Sequence, residues 1–551
     1  MLSFEASYFY LLAVGITLVN FFKKIYFTTS YYNQSLRTKL PEQLYFYPNP
    51  YLLSSFVNQK NFAIKLSRIN IDTFWMGFKN SKEEENFNNF FWLNLINRKN
   101  NGAVIQKIIS IWIDNNTKYN KNNWHNSIIS KRILAWILNA NIILNNADVS
   151  FRKKFFNSII TQVNHLKNNL NYENSSPKKI EIISAIILSG LVFKEYNKNF
   201  ELGIKDLKQV VEIFFDQGGC PVSRNIHDLV QSSKLLVLIK ECCKDAQEYI
   251  PDYLHDIVDK QIDCLFSIEA PINRNPLFNG SGEFKIESYL NYLTGLDYKL
   301  KRERDNINQI YILKEKKFLL FFDGGSPPNK ENSGSYQSGP LSFEYFIDNH
   351  KIITNCGFGE KISKKAELIS KLTSAQSTLC LNDSSVTRFE RNSLINKTFG
   401  SSITSTFKVF DFHTDEDTNS ISISATHDAY KNNFGYLHER RIKINKKNGS
   451  LSGVDNLISE KNNFELTNTY SIRFHLYPGI VAVQTMGKNS VLIHIEKNKS
   501  LLFIATGENI SLEKSIFLGR NQIINNSCIT ISGLLKKNET KNIYWELKKN
   551  Y

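Results

Sequence analysis

Within GGCPVSRNIHD, from Gly218 to Asp228, the chain sets Ser223, Arg224, Asn225, His227 and Asp228 almost side by side. These are residue types that handle an acidic substrate. Arg224 carries a planar guanidinium able to grip a carboxylate through two parallel hydrogen bonds. Asn225 adds a neutral amide, and His227 is the nearest side chain that can take up and return a proton near neutral pH. The same residues also read as structure: Ser223 or Asn225 can cap the helix that resumes at Leu229, and Arg224 can tie two loops together. Both readings stay open on the sequence.

Other strings carry polar groups of the same kinds. NRNPLFNGSGEF puts Asn279, Gly280 and Ser281 in a loop, and loops on a rigid scaffold commonly line binding sites, although a glycine-shaped turn explains them too. ATHDAY and YLHERR supply His427, Tyr430, His438, Glu439, Arg440 and Arg441 on neighbouring strands. Strand alternation puts His438 with Arg440 on one face and Glu439 with Arg441 on the other. His427 and Arg440 suit a sugar or carboxylate if their face borders a cleft; otherwise the pair is structural. His475, between Arg473 and Tyr477 in RFHLYP, reads as a hydrogen-bonded structural histidine. Trp124, in NNWHN ahead of a helix, is the tryptophan best placed to stack on a pyranose ring, whereas Trp75, Trp92, Trp112 and Trp136 fall in helical stretches and read as core. Gln376, in TSAQSTL, can hydrogen-bond a sugar hydroxyl but cannot cycle a proton near neutral pH.

Two kinds of element must position these groups. From about Phe74 to Leu300 apolar residues recur three and four apart, as in NSIISKRILAWILNANIIL, FRKKFFNSIITQVNHLKNNL and KIEIISAIILSGLVF, which predicts paired amphipathic helices. After about Asp305 the period becomes two, in QIYILKEKKFLLFFDGG, LSFEYFIDNHKIITNCG, SISISATHDAY and further runs, with a hairpin turn at Lys447, Asn448 and Gly449. Short strands without intervening helices predict an antiparallel sandwich. The expected division is an N-terminal apolar helix and lead-in over 1–70, a helical domain over 71–305 and an all-β domain over 306–551.

Composition narrows the partners. Hydrophobic residues make up 42% of the 551 and aromatics 13%, enough to fill two large cores. Lysine and arginine total 68 against 52 acidic residues, a formal charge of +16. Such a charge attracts anionic partners, and a lysine-rich codon bias produces it equally well. The lysines are spread along the chain and no nucleic-acid-binding module stands out, so nucleic acid is not expected. Seven cysteines without a C-x-x-C exclude a zinc ribbon and a dense disulfide framework. No glycine-rich phosphate loop is present, and no cofactor is expected. The apolar run from Tyr8 to Phe22 falls short of the roughly 20 residues that cross a bilayer. No basic region precedes it and no small-residue cleavage site follows. It reads as a packed or interfacial helix, with a cleaved signal as the alternative, and Lys23 and Lys24 are able to hold it peripherally at a membrane.

SKRILAWIL, DQGGCPVSRN, LFNGSGEF, FFDGGSPP, LSFE, IITNCG, SAQSTL, ATHDAY, FGYLHERRIKI and RFHLYPG, in this order over roughly residues 70 to 545, resemble the heparinase II/III family. Polysaccharide lyases of that family join an (α/α) toroid to a β-sandwich and cleave uronic-acid-containing chains by β-elimination. The resemblance implies that fold, an acidic polysaccharide partner, and a site built from a toroid Asn and Tyr and a sandwich His. The chain departs from the pattern at each point. Gln376 stands in the place of the sandwich His, and Gln337 and Pro340 stand where a His-containing strand with an acidic metal ligand is often found, so no metal is expected. KIEIISAIILSGLVF lacks the Asn of many lyases, and no Tyr follows VSRN.

Two functions follow. One is a lyase of an acidic cell-envelope polysaccharide, with Arg224 or Asn225 offsetting the carboxylate, His227 or His438 carrying the proton, and Gln376, Asn279, Arg440, His427 and Trp124 contacting sugar. The other is a non-catalytic glycan-binding or assembly protein that has lost its base. The expected location is the cell envelope or periplasm, with a cytoplasmic, membrane-associated protein as the alternative.

Overall fold

The structure, a computed structural model, describes residues 4–57, 74–75, 81–96, 101–271, 274–300, 303–460, 467–496 and 499–550. The expected boundary at 70/71 lies outside the described residues. Contacts divide the chain into two compact units. One gathers Met1–Ala13, Asp216–Leu229 and Asp263–Tyr551, and the other Val14–Phe215 and Val230–Ile262. The division at 70 and 305 follows composition, a different criterion, and is retained as a proposal.

The second unit is helical, with helices Gly102–Asn115, Asn126–Leu138, Val149–Asn169, Ser176–Val192 and Asn197–Phe214. Local chemistry sets their ends. Asp148 accepts the backbone N–H of Phe151 at 2.7 Å and starts Val149–Asn169, and Pro177 sits in the first turn of Ser176–Val192, where a missing N–H costs nothing. The apolar faces meet in an aromatic core in which Trp136 contacts Phe90, Trp112 and Phe155 at 5.1–5.5 Å between ring centroids. Arg132 is fully buried there: its guanidinium lies 4.2 Å from the Trp112 ring and donates to Gln162 and to the carbonyls of Asn88 and Asn123.

The first unit is built on two antiparallel sheets of nine and eight strands among the described residues. One sheet runs from Asn306–Ile307 through Ile310–Glu315, Phe318–Asp323, Phe343–Ile347, His350–Thr354, Asn468–Leu476 and Ile524–Leu535 to Asn509–Phe517, with Leu379–Leu381 paired on Asn468–Leu476. The other runs Val481–Gln484, Ser490–Glu496, Lys499–Ala505, Lys541–Asn550, Leu451–Ser459, Tyr436–Asn445, Ser420–His427, Val409–Glu416. Both contribute to one core around Phe343, Phe474, Phe503 and Trp545, with Trp545 stacked 5.8 Å from Phe343 and edge-on 4.8 Å from Phe474.

The expected order, helices and then antiparallel sheets, is therefore observed, as is the turn between Tyr436–Asn445 and Leu451–Ser459, where Gly449 takes φ 71°. Three short helices interrupt the β half, Lys364–Ser370, Ser393–Phe399 and Lys431–Phe434; each lies in a connection between strands, where the period-two pattern is silent. The N-terminal helix also differs from expectation. It runs Phe4–Thr28, and its Ser7–Thr28 stretch is long and apolar enough to cross a membrane, with only 6% buried. Lys23 and Lys24 do not end it, because lysine is a good helix former.

Gly453 shows how tightly the sandwich closes. It pairs with Trp545 across Leu451–Ser459 and Lys541–Asn550, and a Cβ at Gly453 would lie 2.0 Å from Trp545 Cζ2. Gly453→Ala is expected to lower stability by about 1–3 kcal/mol through overpacking, read as a drop in thermal midpoint. An unchanged midpoint would mean that the indole can move aside.

Candidate functional site

The segment 216–225 belongs to the same compact unit as the sheets, and Arg224 shows why. Its backbone adopts φ 60°, uncommon for a side chain of its size, and its side chain is 4% exposed. The guanidinium forms an ion pair with Asp323, at the end of strand Phe318–Asp323, and donates to the carbonyls of Asn308 (3.1 Å), Gln309 (3.4 Å) and Ser326 (3.3 Å). Arg224 is thus fully engaged in joining the loop to the sandwich. Asn225 is equally occupied: its Oδ1 accepts the backbone N–H of His227 at 2.9 Å, capping helix Ile226–Asp245, and its Nδ2 donates to Ser335 Oγ at 3.3 Å. His227 is half-buried in the first turn. Burial pushes the neighbouring Asp228 carboxyl up to about 6, with Glu360 adding to the rise and the Ser223 hydroxyl, 3.0 Å away, opposing it. The loop also brings Cys220 Sγ to 3.1 Å from Cys264 Sγ, both reduced.

Loop 279–281 packs directly against this anchor. Gly280, at φ 96°, approaches so closely that a Cβ would lie 2.6 Å from Ser335 and 2.8 Å from Asn225. Its N–H donates to Gln337 Oε1 at 3.0 Å. The loop is held from behind by Glu344, which accepts the N–H of Leu277 at 3.1 Å and pairs with Lys351 at 2.7 Å, both side chains fully buried. Around this meeting point Asn279 Nδ2, Ser281 Oγ and Tyr336 Oη are buried without a hydrogen-bond partner among the described residues. Tyr336 lies close enough to Asp323 and Arg224 to feel both charges, and burial raises its hydroxyl well above the ordinary tyrosine range.

Gln376 is turned inward, onto the backbone. It is 2% exposed, and its Nε2 donates to Ser370 O at 2.8 Å. Gln337 Nε2 donates to the same carbonyl at 2.8 Å and to Gly357 O at 3.2 Å. Two amides thus converge on one backbone acceptor, and Gln337 passes the arrangement on to Gly280. Arg224, Asn225 and Gln376 accordingly belong to one polar assembly, reached through Ser335, Gly280 and Gln337, with Asn279 beside it and its amide unpaired among the described residues.

His427, His438 and Arg440 form a separate one inside the sandwich. All three are fully buried. His427 Nδ1 accepts the N–H of Ala429 at 3.2 Å, which leaves Nε2–H to donate to His438 Nδ1 at 3.0 Å; His438 Nε2–H then donates to Asp455 Oδ1 at 2.7 Å. Arg440 holds both oxygens of Asp455 at 2.8 and 3.2 Å, and Trp545 Nε1 donates to Oδ2 at 2.8 Å. Burial disfavours charge on both imidazoles; His438 and Arg440 lower His427 further, and at His438 burial, with Arg440, outweighs the opposing carboxylate of Asp455, so each pKa lies below the ordinary histidine value. Burial raises the Asp455 carboxyl, but Arg440 and His438 outweigh it and hold it well below the usual range. His475 is also buried, bonded to Ser515 Oγ and Ser374 O, and lowered to about 4, chiefly by burial. Trp124 lies in the helical unit, 3% exposed and edge-on to His165 at 5.4 Å, and so packs as core.

Sequence reasoning missed Asp323 and Tyr336. Asp323 stood in FFDGGSPP and Tyr336 in SGSYQSG, but their importance comes from Arg224, 99 residues before Asp323. Among the described residues no group of three or more His, Cys, Asp or Glu could hold a metal ion.

The fold has counterparts among solved structures. The chain superposes on the crystal structure of heparan sulfate lyase HepC from Pedobacter heparinus with a TM-score of 0.66 and 14% identity, covering 94% of this chain and 87% of that one. It superposes on heparinase III with a TM-score of 0.67 and 14% identity, over 91% and 84%. A further heparinase III gene product gives 0.66 and 12%, over 90% and 86%. The fold is that of these polysaccharide lyases, a helical toroid region followed by a β-sandwich. No curated protein matches the chain. Residues 307–546 match the family described as Heparinase II/III-like, C-terminal.

The buried imidazoles make the sandwich sensitive to acid. Both are neutral in the fold and take up protons on unfolding once pH falls below about 6.5, so stability is full above that value and declines below it, by up to about 1.4 kcal/mol per histidine per pH unit. Thermal melts from about pH 8 to about pH 5 are expected to show this loss, and His438→Gln to show a shallower one. Equal slopes in the two proteins would mean that the His438 imidazole is already protonated in the fold.

Proposed function

We propose that the chain is a glycan-binding protein of the cell envelope that keeps a polysaccharide lyase fold and recognises an acidic, uronic-acid-containing polysaccharide without cleaving it. The observation that carries the reading is Gln376. It stands in the place of the sandwich histidine of the lyases this chain resembles, and its amide is fixed on Ser370 O, where it can neither accept nor release a proton. The engagement of Arg224 and Asn225 supports the same reading, because a guanidinium paired with Asp323 and an amide capping a helix are not at the disposal of a substrate carboxylate. The family of the sandwich and the charge of +16 support an acidic glycan as the partner.

Lyase activity is the second reading, favoured by Asp228, whose pKa near 6 suits proton transfer close to neutrality beside His227. Incubating the protein with a panel of acidic polysaccharides, and following both glycan binding and the ultraviolet absorbance of an unsaturated uronate product, separates the two. Binding without new absorbance is expected. Absorbance that grows with time and is lost in Asp228→Asn would replace binding by elimination.

The N-terminal helix supports a place at a membrane. Leu11, Leu18, Phe21 and Phe22 are all more than half exposed, Tyr8 and Tyr31 flank them, and the helix meets the length requirement for a bilayer. The protein is expected to co-sediment with anionic lipid vesicles, and Leu18→Glu/Phe22→Glu to remain in the supernatant. Retention of the variant on vesicles would assign the contact to the basic surface instead.

A further inference from the structure

A cavity of about 480 Å³ lies on the β-rich unit, lined by Arg388, Phe389, Glu390, Arg391 and Thr404, none of which belongs to the Arg224 assembly. The connection that forms it, between strands Leu379–Leu381 and Val409–Glu416, is a built structure. Phe389 bridges Ile403; Glu390 N–H donates to Ser402 O at 2.8 Å, Thr404 N–H to Arg388 O at 2.7 Å, and Arg388 N–H to Ser405 Oγ at 2.9 Å. Ile395 and Ile403 are buried beneath it. The volume falls in the range of small-ligand sites.

Charge pairing singles this cavity out. Among the described arginines of the β-rich unit, Arg224, Arg304, Arg440, Arg441, Arg473 and Arg520 each pair with a carboxylate, and Arg274 lies over the Tyr477 ring. Arg388 and Arg391 have neither kind of partner, and both line the cavity. Glu390, the one acid in the wall, has a carboxylate oxygen engaged by the N–H of Asn392 at 2.8 Å. Behind Phe389, the fully buried Lys371 ammonium lies 5.3 Å from the ring. The wall thus offers two planar cations, a half-buried aromatic ring and a hydroxyl, which is the equipment for a sugar ring bearing an anionic group.

We infer that Arg388, Phe389, Arg391 and Thr404 form a subsite for one anionic sugar residue, with the guanidinium groups on its sulfate or carboxylate and Phe389 against its apolar face. The subsite rests on the reading of the chain as an acidic-glycan binder and gives that reading its point of charge recognition. It requires no movement of the buried Arg224 assembly.

Calorimetric titration with sulfated dextran, a polyuronate and uncharged dextran tests it, using the full chain, Arg388→Ala/Arg391→Ala, and Lys443→Ala/Lys447→Ala as a variant that removes the same charge from exposed positions elsewhere. Loss of two charged hydrogen-bonding groups is expected to weaken binding of the preferred anionic glycan about 10-fold or more, with the lysine variant near the native affinity and uncharged dextran unbound. Circular dichroism and thermal midpoint report whether each variant keeps its fold, and Arg388→Gln/Arg391→Gln, which retains hydrogen-bond donors, is expected to fall between. The glycan weakened most by the arginine variant identifies sulfate or carboxylate as the group held. Native binding with equal affinity in both double variants would overturn the subsite alone. A native protein that binds neither anionic glycan would overturn the glycan-binding reading and the subsite with it.

Discussion

The carboxylate of Asp455 is the interaction from which the rest of the β-rich unit hangs. It lies fully buried and accepts from His438 and Arg440 on one neighbouring strand and from Trp545 on the other, so donors from two strands converge on its two oxygens. Removing it would leave a guanidinium without its counter-charge in a dry core, and an unpaired buried charge is among the costliest defects a fold can carry. Arg440 then carries the constraint between sheets. Its Nη1 donates to Leu341 O at 3.0 Å and Ser377 O at 2.8 Å, which pins the residue next to Gln376 and a leucine held at φ 57°. Leu341 N–H in turn donates to Asp323 O at 2.8 Å, and Asp323 pairs with Arg224. One line of polar contacts therefore runs from Asp455 to the loop that carries Asn225 and His227.

That continuity leaves the polar groups of the candidate site occupied by internal partners. A catalytic base needs a side chain free to change protonation, and a substrate-binding arginine needs open donors. In this chain those positions hold groups whose hydrogen bonds are already directed inward: Arg224 to Asp323, Asn225 to its helix, Gln337 and Gln376 to Ser370 O. An amide is well suited to such a place. It donates without changing charge, whereas a buried imidazole gains or loses a proton with its surroundings, as the depressed pKa of His475 illustrates.

The fold was readable because each half keeps one hydrophobic period. The three- and four-residue spacing of Asn126–Leu138 and Val149–Asn169 and the alternation of Tyr436–Asn445 need no tertiary information, and Asp148 and Gly449 mark ends through local hydrogen bonding and φ alone. Alternation also placed His438 and Arg440 on one face; the strand's burial follows it, with Glu439 half-buried and Arg441 exposed. What alternation could not supply was which face is the interior. Nor could it show that GGCPVSRN packs with the sandwich, since that depends on an ion pair between residues 99 apart. The N-terminal helix exceeded its apolar run because helix length follows backbone propensity, while the run counts only side-chain polarity.

The charge of +16 acquires a shape once pairing is considered. Buried cations of the β-rich unit are matched with carboxylates, as Arg440 with Asp455, Arg224 with Asp323 and Lys351 with Glu344, because low dielectric makes an unpaired charge expensive. Excess charge must therefore reside at the surface, where water supports it and salt screens it. Scattered surface lysines give a diffuse field that attracts any polyanion weakly. Two unpaired guanidinium groups beside an aromatic ring give direction as well, because a planar fork binds an oxyanion along fixed lines and a ring selects the apolar face of a sugar. On the proposed glycan-binding reading, recognition of an acidic chain thus depends less on total charge than on these two guanidinium groups, which the fold leaves without a carboxylate beside an aromatic ring.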